Sequence, residues 1–251
     1  MRRHIPELPN YPFPVRIKHL VYMTSGLPDY FTVPRGGGKS WADPFTNSDA
    51  IAATLRSGRL RFRPGTQWAY SNVNYMLLAE IVARRSGVPF GEFAQREIFG
   101  PLGMTSSRFH TDMAMTIDNP VVGYNLRGHA YVTEPRQSPH YGGSGLFTSV
   151  KDLARWSASL ETHALGGPGL TAVMLSTRRF KHDKTNDAFG LVWGRYRSFR
   201  TLWYDGGDAG FSSHTVRLHD VGLTVIVLSN LGTGGAAARA RKILDALFAP
   251  L

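Results

Sequence analysis

Apolar side chains recur at helical spacing after Asn72. Val73, Met76, Leu77 and Ile81, with the small Ala79 and Ala83, predict a helix that stops at Gly87. An earlier helix is expected over 49–57, with Ser48 as N-cap and Gly58 as its end. Two more are expected: one over 90–98, ended by Pro101-Leu102-Gly103-Met104, and one over 150–160, capped by Ser149 with Asp152 in its first turn. The pattern changes in the last third. Residues 189–196 and 201–204 read as strands, and 211–218 and 223–229 read as a hairpin through 219–222. An Ala-rich helix over 235–247 closes the chain. The longest apolar run, 223–228, is too short to span a membrane and reads as a buried strand.

Between these elements lie breakers. Residues 1–18, with Pro6, Pro9, Pro12 and Pro14, read as an extended lead, and 32–47 as a loop around Gly36, Gly37 and Gly38. Arg63-Pro64-Gly65-Thr66 reads as a turn, and 111–141 as loops with possible short strands. The pattern is α+β: a mainly helical lobe over 19–140 and an α/β lobe over 141–251, within one domain covering 1–251.

Composition narrows the chemistry. With 251 residues and 42 % hydrophobic content, the chain has the material for a core, which excludes disorder as its main state. Cys is 0, which removes thiolate nucleophiles, Cys-ligated zinc and iron–sulfur clusters. The nine His are scattered without short-spaced pairs, so no metal site and no cofactor are expected. Lys+Arg is 29 against Asp+Glu 18, a formal charge of +11 carried mostly by Arg. The basic residues are dispersed apart from local clusters at Arg56, Arg59, Arg61 and Arg63 and at Arg178, Arg179, Lys181 and Lys184, so no nucleic-acid partner is expected. No apolar leader follows Met1, so no signal peptide is written in this sequence; compartment and oligomeric state are left open.

One segment carries candidate chemistry. Tyr70-Ser71-Asn72 places a phenol and an amide two residues apart, just before a helix. If the segment is extended, both side chains point the same way, the phenol as a proton shuttle and the amide as a ligand for a substrate amide. The bland reading is that Ser71 or Asn72 only caps the helix.

Several further segments occur in an order that resembles the serine β-lactamase and penicillin-binding protein superfamily, in the branch of class C β-lactamases, D-alanyl-D-alanine carboxypeptidases and esterases. They are Thr24-Ser25-Gly26-Leu27-Pro28-Asp29-Tyr30; Pro64-Gly65 through Tyr70-Ser71-Asn72 and Tyr75; Pro101-Leu102-Gly103-Met104; Gly142-Gly143-Ser144-Gly145-Leu146; and Gly206-Gly207-Asp208-Ala209-Gly210-Phe211. The resemblance implies a β-lactamase/transpeptidase-like fold, with an antiparallel sheet flanked by helices. It also implies a small ester, amide or β-lactam-like ligand. Tyr70 and Asn72 would be catalytic, and Tyr204, Gly206 and Gly207 would line the substrate site, with the Gly207 N–H as one oxyanion donor.

The departures from that pattern shape the expectation. The family's nucleophile is the Ser of an S-x-x-K motif. The residues three before each Lys here are Val15, Gly36, Thr148, Arg178, Lys181 and Arg239, none of them Ser. The chain is therefore expected to be N-terminally truncated relative to the family, missing the first strands and the nucleophile helix, and inactive as written. A late-called start codon or a natural binding remnant would each produce that. Tyr204 and Asp205 also stand where the family has Lys or His and a small residue. A free phenol has a pKa near 10 and needs a nearby cation to act as a base at neutral pH. With those cations replaced, and with Asp205 opposing ionisation if it faces the cleft, Tyr70 is not expected to be a competent base.

Overall fold

The computed structural model describes residues 1–33, 44–112, 114–117, 119–135, 138–177 and 187–249. Most of the triple-glycine loop and the basic cluster from Arg178 to Lys184 lie outside the described residues.

The helical part is built around α3, Asn72–Ser86. Its stripe of Val73, Met76 and Leu77 is fully buried, and Gly87 ends it in the left-handed conformation, as the spacing predicts. Against it pack α1, Ile17–Val21, and α2, Asn47–Arg56. The helix α2 starts two residues earlier than expected. Thr46, not Ser48, is its cap, in a reciprocal box with Asp49. The Pro-rich lead is not simply extended: residues 2–8 form hydrogen-bonded turns, with His4 N and Ile5 N on Met1 O and Leu8 N on Ile5 O. Ile17 begins α1, and Ile5, Leu8 and Val15 join the same core as Phe45, Leu20 and Leu27. The prolines shape the path of this segment, but its apolar residues hold it to the core.

Next comes α4, Phe90–Ala94, which continues as a π-helical turn, Gln95–Phe99. Phe99 and Met104 bury themselves beside the partly covered Trp156 of α5, Val150–Thr162. Ser149 caps α5 as expected. Asp152 does more than favour the helix start: it is buried and accepts from Ser106 N and Ser107 Oγ, both at 2.8 Å, tying the preceding loop to α5. A helix the sequence pattern did not single out, α6, Gly167–Leu175, follows.

Short strands fill the middle. β1, Arg108–Phe109, pairs with β4, Leu146–Phe147, while β2, Tyr124–Arg127, and β3, Ala130–Thr133, form a hairpin. The main sheet is an antiparallel meander, β5 Val192–Tyr196, β6 Phe199–Asp208, β7 Phe211–Leu218 and β8 Leu223–Ser229, in that order. β7 and β8 match the expected hairpin. β6 runs four residues past its expected end, so Asp205 through Asp208 belong to the sheet. Its partner explains this: β7 pairs with it in register down to Asp208↔Phe211. β8 is an end strand, and of its residues only Val225 is fully buried, so the expectation of a buried strand is corrected.

Helices cover both faces of this sheet. Val216, Leu218 and Val225 face α7, Ala236–Leu247, and bury Ala240 and Leu244. From the opposite face Arg217 reaches α5, where it donates to Glu161 at 2.6 Å and to Ser157 at 3.4 Å. This helix–sheet–helix arrangement is α+β. It sets which side chains of β6 look toward the helical part.

Candidate active site

The turn before α3 is held from below by side chains. Ser71 occupies the N-cap position but makes no side-chain cap; its hydroxyl donates to Pro28 O at 3.2 Å. The cap comes from elsewhere in the chain. Asp29, itself buried, accepts from Asn72 N at 2.6 Å and from Asn72 Nδ2 at 3.0 Å on one oxygen, and from Phe31 N at 3.0 Å on the other. A carboxylate here also suits the positive end of the helix dipole. Beneath it, Ser25 Oγ donates to Asn74 Oδ1 at 2.5 Å, and Asn74 Nδ2 contacts Met23 Sδ at 3.2 Å. Gly142 closes the packing. At φ +82°, a Cβ there would sit 2.5 Å from Tyr75 O, so only glycine admits this approach to α3.

On that base Tyr70 and Asn72 meet. The Tyr70 hydroxyl donates to Asn72 Oδ1 at 3.0 Å. Tyr70 keeps 44 % of its surface open, yet protein packed around the phenol raises its pKa above the ordinary value. Hydrogen bonding and charge coupling to Tyr204 act in the same direction, as do Asp29 and Tyr30. Tyr75, one turn into α3, donates to Val21 O at 3.1 Å, and burial raises its pKa too. Both phenols are therefore neutral donors at pH 7.

The sheet contributes the facing wall. Tyr204 and Gly206 share a face of β6 with Leu202, whose partner across the strand pair is Arg217 of the α5 side. Tyr204 reaches Tyr70, and Ser213 stands opposite Gly206. A Cβ on Gly206 would sit 2.3 Å from Ser213 Oγ, so the missing side chain leaves room for that hydroxyl. A Cβ on Gly207 would meet nothing within 4 Å, and Gly207 is exposed beside its partner Ser212.

Asp205 lies one residue out of phase and points to the other face. It pairs across the strands with His214, Nδ1 to Oδ1 at 2.5 Å, beside Trp203. The acid opposing ionisation of Tyr70 is thus Asp29 rather than Asp205. Thr148, the nearest stand-in for a Ser three before a Lys, bonds Ser107 Oγ at 2.7 Å through its own hydroxyl. Among the described residues, no three His, Asp or Glu side chains converge to hold a metal ion. Asp29 and Ser213 are the site groups that sequence reasoning missed. Asp29 had a visible signal, a lone acid among apolar and small residues in Leu27-Pro28-Asp29-Tyr30, whereas Ser213 had none before the strand register was known.

An α+β domain whose Tyr-x-Asn turn faces one strand of an antiparallel sheet has the β-lactamase/transpeptidase-like architecture. The chain belongs to the β-lactamase family, whose model matches residues 1–249. It is 30 % identical over 241 residues to penicillin-binding protein 4* of Bacillus subtilis, covering 89 % of this chain and 53 % of that protein. It is 26 % identical to a D-aminopeptidase of Gluconobacter oxydans, covering 92 % and 44 %. The fold superimposes on a D-stereospecific amidohydrolase from a Streptomyces species with a TM-score of 0.80 at 19 % identity, covering 99 % and 77 %. The chain spans about half the length of the curated relatives it matches.

Proposed function

We propose that this chain supplies the ligand-binding half of a β-lactamase-like serine hydrolase site and, by itself, binds small amides or esters without forming an acyl-enzyme. The observation that carries this reading is Tyr70 in reach of both Asn72 and Tyr204, with both phenols partly exposed, in a sequence where no Ser stands three residues before a Lys. A neutral phenol pair offers hydrogen bonds to a carbonyl or an amide but cannot take a proton from a hydroxyl at neutral pH. The Lys or His charge that would hold a ligand carboxylate is replaced by Tyr204, which favours amides and esters without a carboxylate over carboxylates. The relatives named D-aminopeptidase and D-stereospecific amidohydrolase make a D-amino-acid amide the first ligand to try.

The purified chain is expected to stay unlabelled by fluorescent penicillin and by a fluorophosphonate probe. It is expected to bind a D-phenylalanine amide reversibly, with affinity falling several-fold in Tyr70→Phe or Asn72→Ala. Covalent labelling would overturn the non-acylating part, and equal binding by both variants would overturn the assignment of the site. The length of the relatives favours a second reading, in which the same half-site works beside a nucleophile-bearing segment. An S-x-x-K encoded in frame upstream of Met1 would support it, and stop codons without one would remove it.

A further inference from the structure

We propose that Asp29 is the positioning residue of this site: by fixing the side-chain amide of Asn72, it decides that the Tyr70 hydroxyl acts as a donor. This deepens the reading above and rests on Tyr70 and Asn72 forming the site.

The argument follows from which atoms can donate. An Asn side chain can present either its oxygen or its NH2 to a neighbour, and the surrounding network decides which. Here the Asp29 carboxylate is an acceptor on both oxygens, so Asn72 must turn Nδ2 toward it, at 3.0 Å. That leaves Oδ1 facing Tyr70, and Oδ1 can only accept, so Tyr70 must donate, at 3.0 Å. The Asn72 backbone N–H, on the same carboxylate oxygen at 2.6 Å, prevents the acid from swinging away. Phe31 N holds its second oxygen. Asp29 is 8 % exposed, so it is screened little by solvent, and its charge faces Tyr70 along with Tyr204 from β6 and Tyr30. In consequence one N–H of the Asn72 amide is committed to Asp29, and only its second N–H is left to offer a ligand.

The test uses the full chain carrying tyrosine labelled with carbon-13 at the ring carbon bearing the hydroxyl, with Tyr70→Phe to assign the signal. In the wild type the Tyr70 resonance is expected to stay in its neutral position well beyond pH 10. In Asp29→Asn the charge is gone and Asn72 is free to turn its NH2 toward the phenol. Both changes favour the phenolate, and the titration is expected to move down by about one pH unit or more. A folded Asp29→Asn, judged by circular dichroism, whose Tyr70 titrates with the wild type would overturn the proposal. Should that variant not fold, the wild type still decides. The Asn72 side-chain NH2, assigned by its loss in Asn72→Leu, is expected to exchange with solvent at least about tenfold more slowly than that of an exposed Asn. Equal exchange would overturn the proposal. Neither readout involves a ligand, so a failure of the binding reading would leave both unchanged.

Discussion

Two acids lie beside the tyrosines of the candidate site, one in space and one along the chain, and only the first belongs to it. Asp29, on the helical side, is buried and takes three N–H groups, two of them from Asn72. Asp205, on β6, sits next to Tyr204 in sequence, yet it is exposed and turned to His214 on the opposite face. Distance along the chain misleads here. In a strand, neighbours point to opposite faces, whereas a folded turn can bring residues 43 apart onto one carboxylate. The helical side of the cleft is therefore held by a buried polar web, and the sheet side by register alone.

That contrast can be broken by experiment. The largest effect is expected at the base of the web. Asn74→Ala takes the acceptor from the buried Ser25 hydroxyl proton and opens a cavity beside α3, which should cost roughly 2–4 kcal/mol in denaturant unfolding. A loss below about 1 kcal/mol would show that the web does not hold the helical side.

A smaller effect is expected from pH. Burial raises Tyr75 above its unfolded value near 10, so the folded state keeps a proton the unfolded state releases. Stability should be complete below pH 10 and fall as pH climbs from there, by at most about 1.4 kcal/mol per pH unit for this group. Tyr75→Phe should flatten that slope, and chemical unfolding at pH 9, 10 and 11 in both proteins reads it directly.

The smallest effect is expected at Asp205. Asp205→Asn removes an exposed cross-strand pair and should change stability by about 1 kcal/mol or less. It should also leave the Tyr70 titration where it was. A moved Tyr70 would place Asp205 in the cleft after all and erase the distinction between the two acids.

Much of the fold was legible in the sequence because local rules governed it. The stripe of α3 with its Gly87 stop, the Ser149 cap of α5 and the β7–β8 hairpin all depend on contacts a few residues apart. The elements that escaped the reading depend on partners far away. β6 is long because β7 lies beside it, and the Pro-rich lead is ordered because its apolar residues reach the core of α3. The start of α2 is the local exception: Thr46 caps it because Asp49, three residues on, closes the box. The site divides in the same way. Tyr70 and Asn72 could be picked out from their spacing, while their tie to Asp29, the phase of Tyr204 against Asp205 and the hydroxyl of Ser213 opposite Gly206 could not.

The sequence by itself determined the class of chain: an α+β protein with a β-lactamase-type order of segments, no thiol chemistry, and no Ser three residues before a Lys. These are properties of residue identity and spacing, which survive without a fold. The tertiary structure alone decided which acid governs Tyr70. The reach of a carboxylate is a few ångströms in space, and neither burial nor strand phase can be read from a residue's neighbours along the chain.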